Sequence, residues 1–213
     1  MTHKRFLPSL LILWALTLVQ SGLWGQSAFE LRTAEGGVKV YVRSEANDEM
    51  SVRVTTSAQA TVKQAQDIID DAPNYPEWVH RCAEAYVLPG GEANAYTYYS
   101  RIDMPFPFGD REVVGTISQL IDPGTGVLTR TIKADPEAIP PNKGVDRIGV
   151  YSAVWIIAPR PEGGIDISCT VRTAAGAGLP NWLRKEVMTG GPAKTVRNLV
   201  ARLEAVAPAS AGG

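Results

Sequence analysis

The sequence predicts an α+β domain, a curved antiparallel sheet closed by one long C-terminal helix, with two short helices after the third strand. Three observations predict it. Apolar–polar alternation with a period of two recurs through the middle of the chain between short Gly- and Pro-rich turns. Such connections join antiparallel neighbours, because a parallel crossover takes about a dozen residues or more. A three-and-four apolar periodicity appears briefly after the third strand and at length near the C-terminus. Finally, 213 residues, 45% hydrophobic and 20% charged, suit one domain with a real core and room for a ligand chamber.

The first segment reads as a signal peptide. Lys4 and Arg5 precede an apolar run from Phe6 to Val19, broken by Pro8, Ser9 and Thr17. That run is shorter than the roughly 20 residues of a membrane-spanning helix and has the length of a signal-peptide core. Small residues follow at Ser21, Gly22, Gly25, Ser27 and Ala28. Residues 1–25 are therefore expected to be removed, with cleavage as late as Ala28 as the alternative. The mature protein is expected in the periplasm or secreted. No Cys follows the apolar run, which argues against a lipoprotein. Loss of residues 1–25 leaves 19 Lys+Arg against 22 Asp+Glu, a net charge of −3. That balance lacks the basic footprint of a nucleic-acid binder and any general attraction to anionic membranes. Two Cys and two His make no Cys/His zinc cluster.

Two short strands, Phe29–Arg32 and Val38–Val42, bracket Gly36-Gly37. Met50, Val52 and Val54 alternate with polar residues in a third. From Thr61 to Asp71, Val62, Ala65, Ile68 and Ile69 make a helical stripe with Thr61 as N-cap and Pro73 as terminator. Pro76 opens a second helical turn through Val79. Strands follow near 81–88, 94–102, 111–121, 126–134, 146–158 and 165–174, separated by turns at Pro89-Gly90-Gly91, Asp122-Pro123-Gly124 and Arg160 to Gly164. Two connections differ from these. Asp103–Gly109 is apolar and proline-stiffened, and Asp135–Gly144 is longer and polar. The closing helix spans about Asn181 to Ala205, its stripe running through Trp182, Val187, Met188, Val196, Leu199, Val200 and Leu203. Gly190-Gly191-Pro192 predicts a kink or a break within it. Residues 26–207 make one domain, and residues 208–213 a disordered tail.

A helix laid across a curved sheet encloses either a packed core or a chamber. Aromatic residues concentrate where a chamber wall would run: Tyr96, Tyr98 and Tyr99, then Tyr151 and Trp155, and, on the helix, Trp182. Alternation puts Tyr96 and Tyr98 on one face of their strand and Tyr99 and Arg101 on the other. An apolar chamber with a few polar groups suits a small hydrophobic ligand.

Several stretches, in order, carry a resemblance. They are Gly37-Val38-Lys39-Val40-Tyr41-Val42-Arg43; Asp71 with Tyr75-Pro76-Glu77-Trp78; Pro105-Phe106-Pro107 leading to Asp110-Arg111-Glu112-Val113-Val114; Trp155 through Pro159; and Gly176-Ala177-Gly178-Leu179-Pro180-Asn181-Trp182-Leu183. Together they resemble the StAR-related lipid-transfer (START) family, within the helix-grip superfamily of Bet v 1-like folds, over Phe29 to Glu204. The resemblance implies a helix-grip fold of about nine strands around a lipid tunnel. It implies non-covalent carriage of a lipid, sterol or isoprenoid-like molecule, without catalysis or metal; no cofactor, a monomeric state and, from the apolar Met104–Phe108 loop, a transient membrane contact are the further expectations. By position, Arg111 matches the Arg of the family's Arg-Asp-Phe-Val motif, with Glu112 in place of Asp and Val113 in place of the aromatic. Ile117 stands where the Arg of the internal charged pair in sterol-binding members would be sought.

The candidate ligand-contacting residues are accordingly Tyr96, Tyr98, Arg111, Val113, Ile117, Tyr151, Trp155, Leu179, Trp182 and Met188. Met104, Phe106 and Phe108 are candidates for a gate or membrane contact. Asp103 or Asp146 is the expected partner of Arg111 if that residue is structural. Export leaves two readings of Cys82 and Cys169, a disulfide or two small buried thiols. His80 is the one histidine after the signal peptide, and its spacing from Cys82 makes no catalytic dyad. Three functions compete: a lipid carrier, an enzyme of aromatase/cyclase or hydrolase type on the same fold, and an envelope interaction protein with a filled chamber. The carrier, a non-enzyme, is the expectation.

Overall fold

Gly36 and Gly37 turn the chain between β1 (Glu30–Glu35) and β2 (Val38–Ser44) with φ of 56° and 75°, a left-handed conformation that glycine adopts without steric cost. The computed structural model describes residues 28–47, 49–174 and 179–206. The signal-peptide, tail and Gly176–Gly178 readings of the sequence lie outside these residues. β3 (Glu49–Ala58) is followed by α1 (Val62–Asp70). Thr61 caps α1 reciprocally: its hydroxyl accepts from the Gln64 backbone N–H at 3.2 Å, and its own N–H donates to Gln64 Oε1 at 2.8 Å. The expected second helical turn begins earlier than Pro76, as a 3-10 turn over Ala72–Glu77. Pro73 fits within its first residues, where no N–H is required.

The remaining strands are β4 (Cys82–Val87), β5 (Ala95–Ile102), β6 (Arg111–Ile121), β7 (Leu128–Ala134), β8 (Asp146–Arg147), β9 (Tyr151–Pro159) and β10 (Ile165–Ala174). They join one sheet with β1 to β3; along the order β1-β2-β3-β10-β9-β7-β6-β5-β4 every pairing is antiparallel, and β8 lies off this path. Among the described residues the sheet has ten strands rather than about nine. The expected strand 146–158 divides, because β8 pairs in parallel with the start of β6 before the chain turns into β9.

The closing helix does not break at Gly190-Gly191-Pro192; the irregularity expected there is a π-helical turn. α2 (Asn181–Lys185) runs into a π-helical turn (Glu186–Gly190) and then α3 (Gly191–Val206). Pro192 lacks an N–H and would crowd the carbonyl four residues back in a regular helix. The widened turn absorbs this, and the Gly191 N–H reaches the Glu186 carbonyl five residues back. α3 packs across β2, β3 and β10. Its Val196, Leu199 and Leu203 are fully buried in the same core as Val40 and Val54.

Gly115 on β6 gives Tyr98 its place. A Cβ there would stand 3.1 Å from Tyr98 Cε1 and 3.1 Å from Ile132 Cγ2. Gly115→Ala is therefore expected to lower stability by about 1–3 kcal/mol through overpacking. Chemical denaturation of the purified variant checks this.

Candidate functional site

The concave face of the sheet and the helix do not meet everywhere. Between them lies a cavity of about 180 Å³. Strand alternation builds its wall: Tyr98 and Ser100 from β5, Val113 from β6, Arg130 and Ile132 from β7, Tyr151, Ala153 and Trp155 from β9, and Cys169, Val171 and Thr173 from β10. Ile69 of α1, with Tyr75 and Trp78, closes one side. Val79, His80, Arg81, Val187, Gly191, Pro192 and Thr195 line the side beneath the helix.

The deepest charge in the wall is Arg130, 1% exposed. Its guanidinium bonds to the Asp70 carboxylate, donates to Gln119 Oε1 at 2.8 Å, and donates to the hydroxyls of Tyr96 and Tyr75 at 2.9 and 3.2 Å. Tyr75 passes its own proton to the Ile69 carbonyl at 2.6 Å, and the Gln119 amide donates to Asp70 at 3.0 Å. Burial alone would disfavour the charge on Arg130, but Tyr75, Tyr96 and Asp70 around it outweigh that and raise its pKa. Burial pushes the Tyr98 and Tyr151 phenols above their ordinary range. Burial does the same to the Cys169 thiol.

A polar clasp joins His80, beside the cavity, to the closing helix. His80 Nε2 lies 3.2 Å from Glu186 Oε1, which Lys194 Nζ also reaches at 2.5 Å, and the His80 backbone N–H donates to Thr195 Oγ1 at 3.1 Å. Burial, then the charge of Lys194, lowers the His80 pKa; the hydrogen bond from Lys194 leads in lowering that of Glu186. A Cβ at Gly190 would come 2.8 Å from Glu186 Oε2. Beside the clasp is a second apolar cluster of Met104, Leu179 and Leu183, with Ile102, Phe108 and Val187 packed on it. Ile102 and Val187 face both this cluster and the cavity.

Of the residues singled out in the sequence, Tyr98, Val113, Tyr151 and Trp155 line the cavity. Tyr96, Ile117 and Met188 are buried without lining it, Tyr96 within the Arg130 network. Leu179 sits in the second cluster. Trp182, expected on the buried stripe, is 60% exposed, and Leu183 is buried in its place. The extra residue of the π turn rotates the faces of α2 by roughly 100° relative to α3, so a stripe counted straight through selects the wrong side. Arg111 begins β6 opposite Ile102 and Asp146, half-buried and outside the cavity wall, so it is not the internal polar group. Of the apolar loop, Met104 is buried, Phe108 half-buried, and Phe106 97% exposed.

The sequence reading missed Arg130, Asp70, Gln119 and the His80–Glu186 clasp. Arg130 left a signal: it shares the inward phase of β7 with Leu128 and Ile132, both buried. The disulfide reading is corrected. Both cysteines are free and buried, on strands that β9, β7, β6 and β5 separate in the sheet order. Cys82 Sγ lies 3.5 Å from Ser100 Oγ instead. A thiol assay without reductant is expected to find no rapidly reacting thiol in the native protein and both in denaturant.

No known family pattern matches the chain. An uncharacterized protein of Pseudomonas aeruginosa is 33% identical over 174 residues, which is 80% of this chain and 84% of that protein. Among solved structures, the STAR-related lipid transfer protein of Xanthomonas axonopodis superposes with a TM-score of 0.75 at 23% identity, over 84% of this chain and 99% of that one. Human StAR-related lipid transfer protein 5 superposes with a TM-score of 0.73 at 12% identity, over 85% and 89% of the two chains. The chain therefore belongs to one family with the Pseudomonas aeruginosa protein, and its domain has the START-like helix-grip fold of the StAR-related lipid-transfer structures.

Proposed function

We propose that this protein binds a hydrophobic small molecule, of lipid, sterol or isoprenoid type, in the cavity beneath its closing helix and transfers it, outside the cytoplasm and without catalysis. The observation that carries the reading is the chemistry of the wall. Ile69, Val113, Ile132, Ala153 and Val171 are apolar, the phenols are held neutral, and the buried cation is matched by Asp70. An environment of that kind favours a guest that gains by leaving water.

The cavity is smaller than the roughly 300–1,000 Å³ of a typical ligand site, so a full-length lipid requires the helix to give way. The π turn is a natural place for it, since it stands beside the cavity and is held by the Glu186 clasp and the Met104–Leu179–Leu183 cluster. Phe106 and Trp182 offer apolar surface for a transient membrane contact. Among the described residues no helix is long and apolar enough to cross a membrane.

The test is native mass spectrometry of the purified protein followed by organic extraction, with uptake from vesicles measured in parallel. Trp78 and Trp155 border the cavity while Trp182 is exposed, so uptake is expected to change the intrinsic fluorescence. Trp155→Phe is expected to remove much of that response. Repeated recovery of empty protein, with no uptake from any vesicle, would overturn the reading.

A further inference from the structure

The cavity wall carries positive charge and no carboxylate. Among the described residues that line it, the basic ones are His80, Arg81 and Arg130, and none is Asp or Glu. We infer that the guest is an acidic amphiphile, its carboxylate or phosphate head bound by Arg81 at the edge of the cavity and its apolar tail lying beneath the closing helix. The inference rests on the lipid-carrier reading above and narrows it to guests with an anionic head.

The two arginines of the wall stand in opposite situations. Arg130 is matched by Asp70 and donates also to Gln119, Tyr75 and Tyr96. Arg81 is loosely held. Its Nη1 donates to the Asp103 carbonyl at 3.4 Å, a long hydrogen bond, and stands 4.0 Å from the Asp103 carboxylate, whose side chain is 65% exposed. An ion pair of that length and exposure holds a guanidinium weakly. The Arg81 Nε is buried and has no partner among the described residues. A guanidinium offers five N–H donors in a fork that fits an oxyanion, so Arg81 has donors left for one. The Trp78 indole N–H, on the same wall, is likewise buried without a partner and can only donate.

The backbone points the same way. Arg81 has a φ of 58°, a left-handed conformation that is unfavourable for a residue with a Cβ, and the Asp103 N–H pins it there by donating to the Arg81 carbonyl at 2.8 Å. Glycine would adopt that conformation without cost, yet the position carries a long cationic side chain.

Other heads fit less well. The hydroxyls of Tyr98, Tyr151 and Thr173 can donate or accept, so they suit many heads and choose none. The acids behind the wall are engaged, Asp70 with Arg130 and Glu186 with His80 and Lys194. An ammonium head would therefore meet Arg81 as a like charge. The Arg81 side chain is 28% exposed, so an anion held there keeps water on one side and avoids the full cost of burial. At Arg130 it would have to displace Asp70.

The experiment titrates decanoate, decyl phosphate, decanol and decylamine, which share a ten-carbon chain, into the purified protein at neutral pH and low salt, read by calorimetry. At least one of the two anions is expected to bind about tenfold more tightly than decanol or decylamine. Whichever anion leads separates a carboxylate guest from a phosphate guest. Arg81→Gly, which suits the left-handed backbone, is expected to erase that margin and leave decanol unchanged. Arg111→Gln, which removes a cation outside the cavity wall, is expected to preserve it. Decanol or decylamine matching both anions, a margin that survives in Arg81→Gly, or an equal loss in Arg111→Gln would overturn the inference. Should Arg81→Gly not fold, the ranking of the four probes on the unaltered protein decides by itself. If decanol binds and neither anion holds an advantage, this inference alone fails; if none of the four binds, the carrier reading falls with it.

Discussion

Arg130→Leu is expected to destabilise the protein by about 3–5 kcal/mol, among the largest losses any single substitution here should cause. The side chain is 1% exposed, and four partners depend on it: Asp70, Gln119, Tyr75 and Tyr96. Leucine fills much of the space but leaves the Asp70 carboxylate without its cation and two phenol oxygens without a donor. The Asp70 side chain is 32% exposed, so water recovers part of that loss. For a domain of this length the melting temperature should drop by about 10 °C. The second substitution makes the test sharp. Arg130→Leu combined with Asp70→Asn should lose less than the two single losses added, because the stranded charge is gone. Simple additivity would mean that the network is an accident of proximity.

The same network shows where the sequence was legible. Alternation along β5 separates Tyr96 and Tyr98 from Tyr99 and Arg101, and the structure sends the first pair into the main core and the second to the opposite face. The capping box at Thr61 and Gln64 is local, and local chemistry can be read residue by residue. Arg130 is different. Its inward phase on β7 is written in the sequence, but its counter-ion comes from the end of α1, sixty residues earlier in the chain. Only the folded topology brings the two together. Trp182 fails for another reason: a helical stripe counted at constant phase is broken by one extra residue, and the glycines and proline that permit the π turn read equally well as a kink. The cysteines belong with Arg130, since which strands are neighbours is a property of the sheet order rather than of either strand.

Next to Arg111, on the opposite face of β6 from the cavity, stands a buried charge of another kind. Glu112 is completely buried, and Glu112→Ala should cost about 3–5 kcal/mol. Arg147 Nε and Nη2 both approach its Oε1 at 2.8 Å; the Asn142 amide donates to Oε2 at 2.8 Å, and the Tyr99 hydroxyl to Oε2 at 3.1 Å. Arg147 in turn donates to the carbonyls of Pro136, Ile139 and Pro140, so one carboxylate holds the whole polar connection between β7 and β8. Ile148 and Tyr151 enter the cavity wall directly after Arg147, which ties this clip on the outer face to the site inside. Removing Glu112 should therefore speed hydrogen exchange across residues 135–146 and weaken ligand retention without touching the cavity itself. The pH dependence follows with a definite sign. Burial alone would raise the carboxyl pKa, but the bonds from Asn142, Arg147 and Tyr99 outweigh it and hold the folded value below the ordinary 4.5. The unfolded state then binds the proton more readily, so this contribution is fully present above the ordinary value and is lost as pH falls through the folded one. Glu112→Gln should flatten that acid limb of the stability curve while leaving the neutral-pH loss in place. A glutamine variant with the acid limb of the unaltered protein would show that other carboxylates govern it.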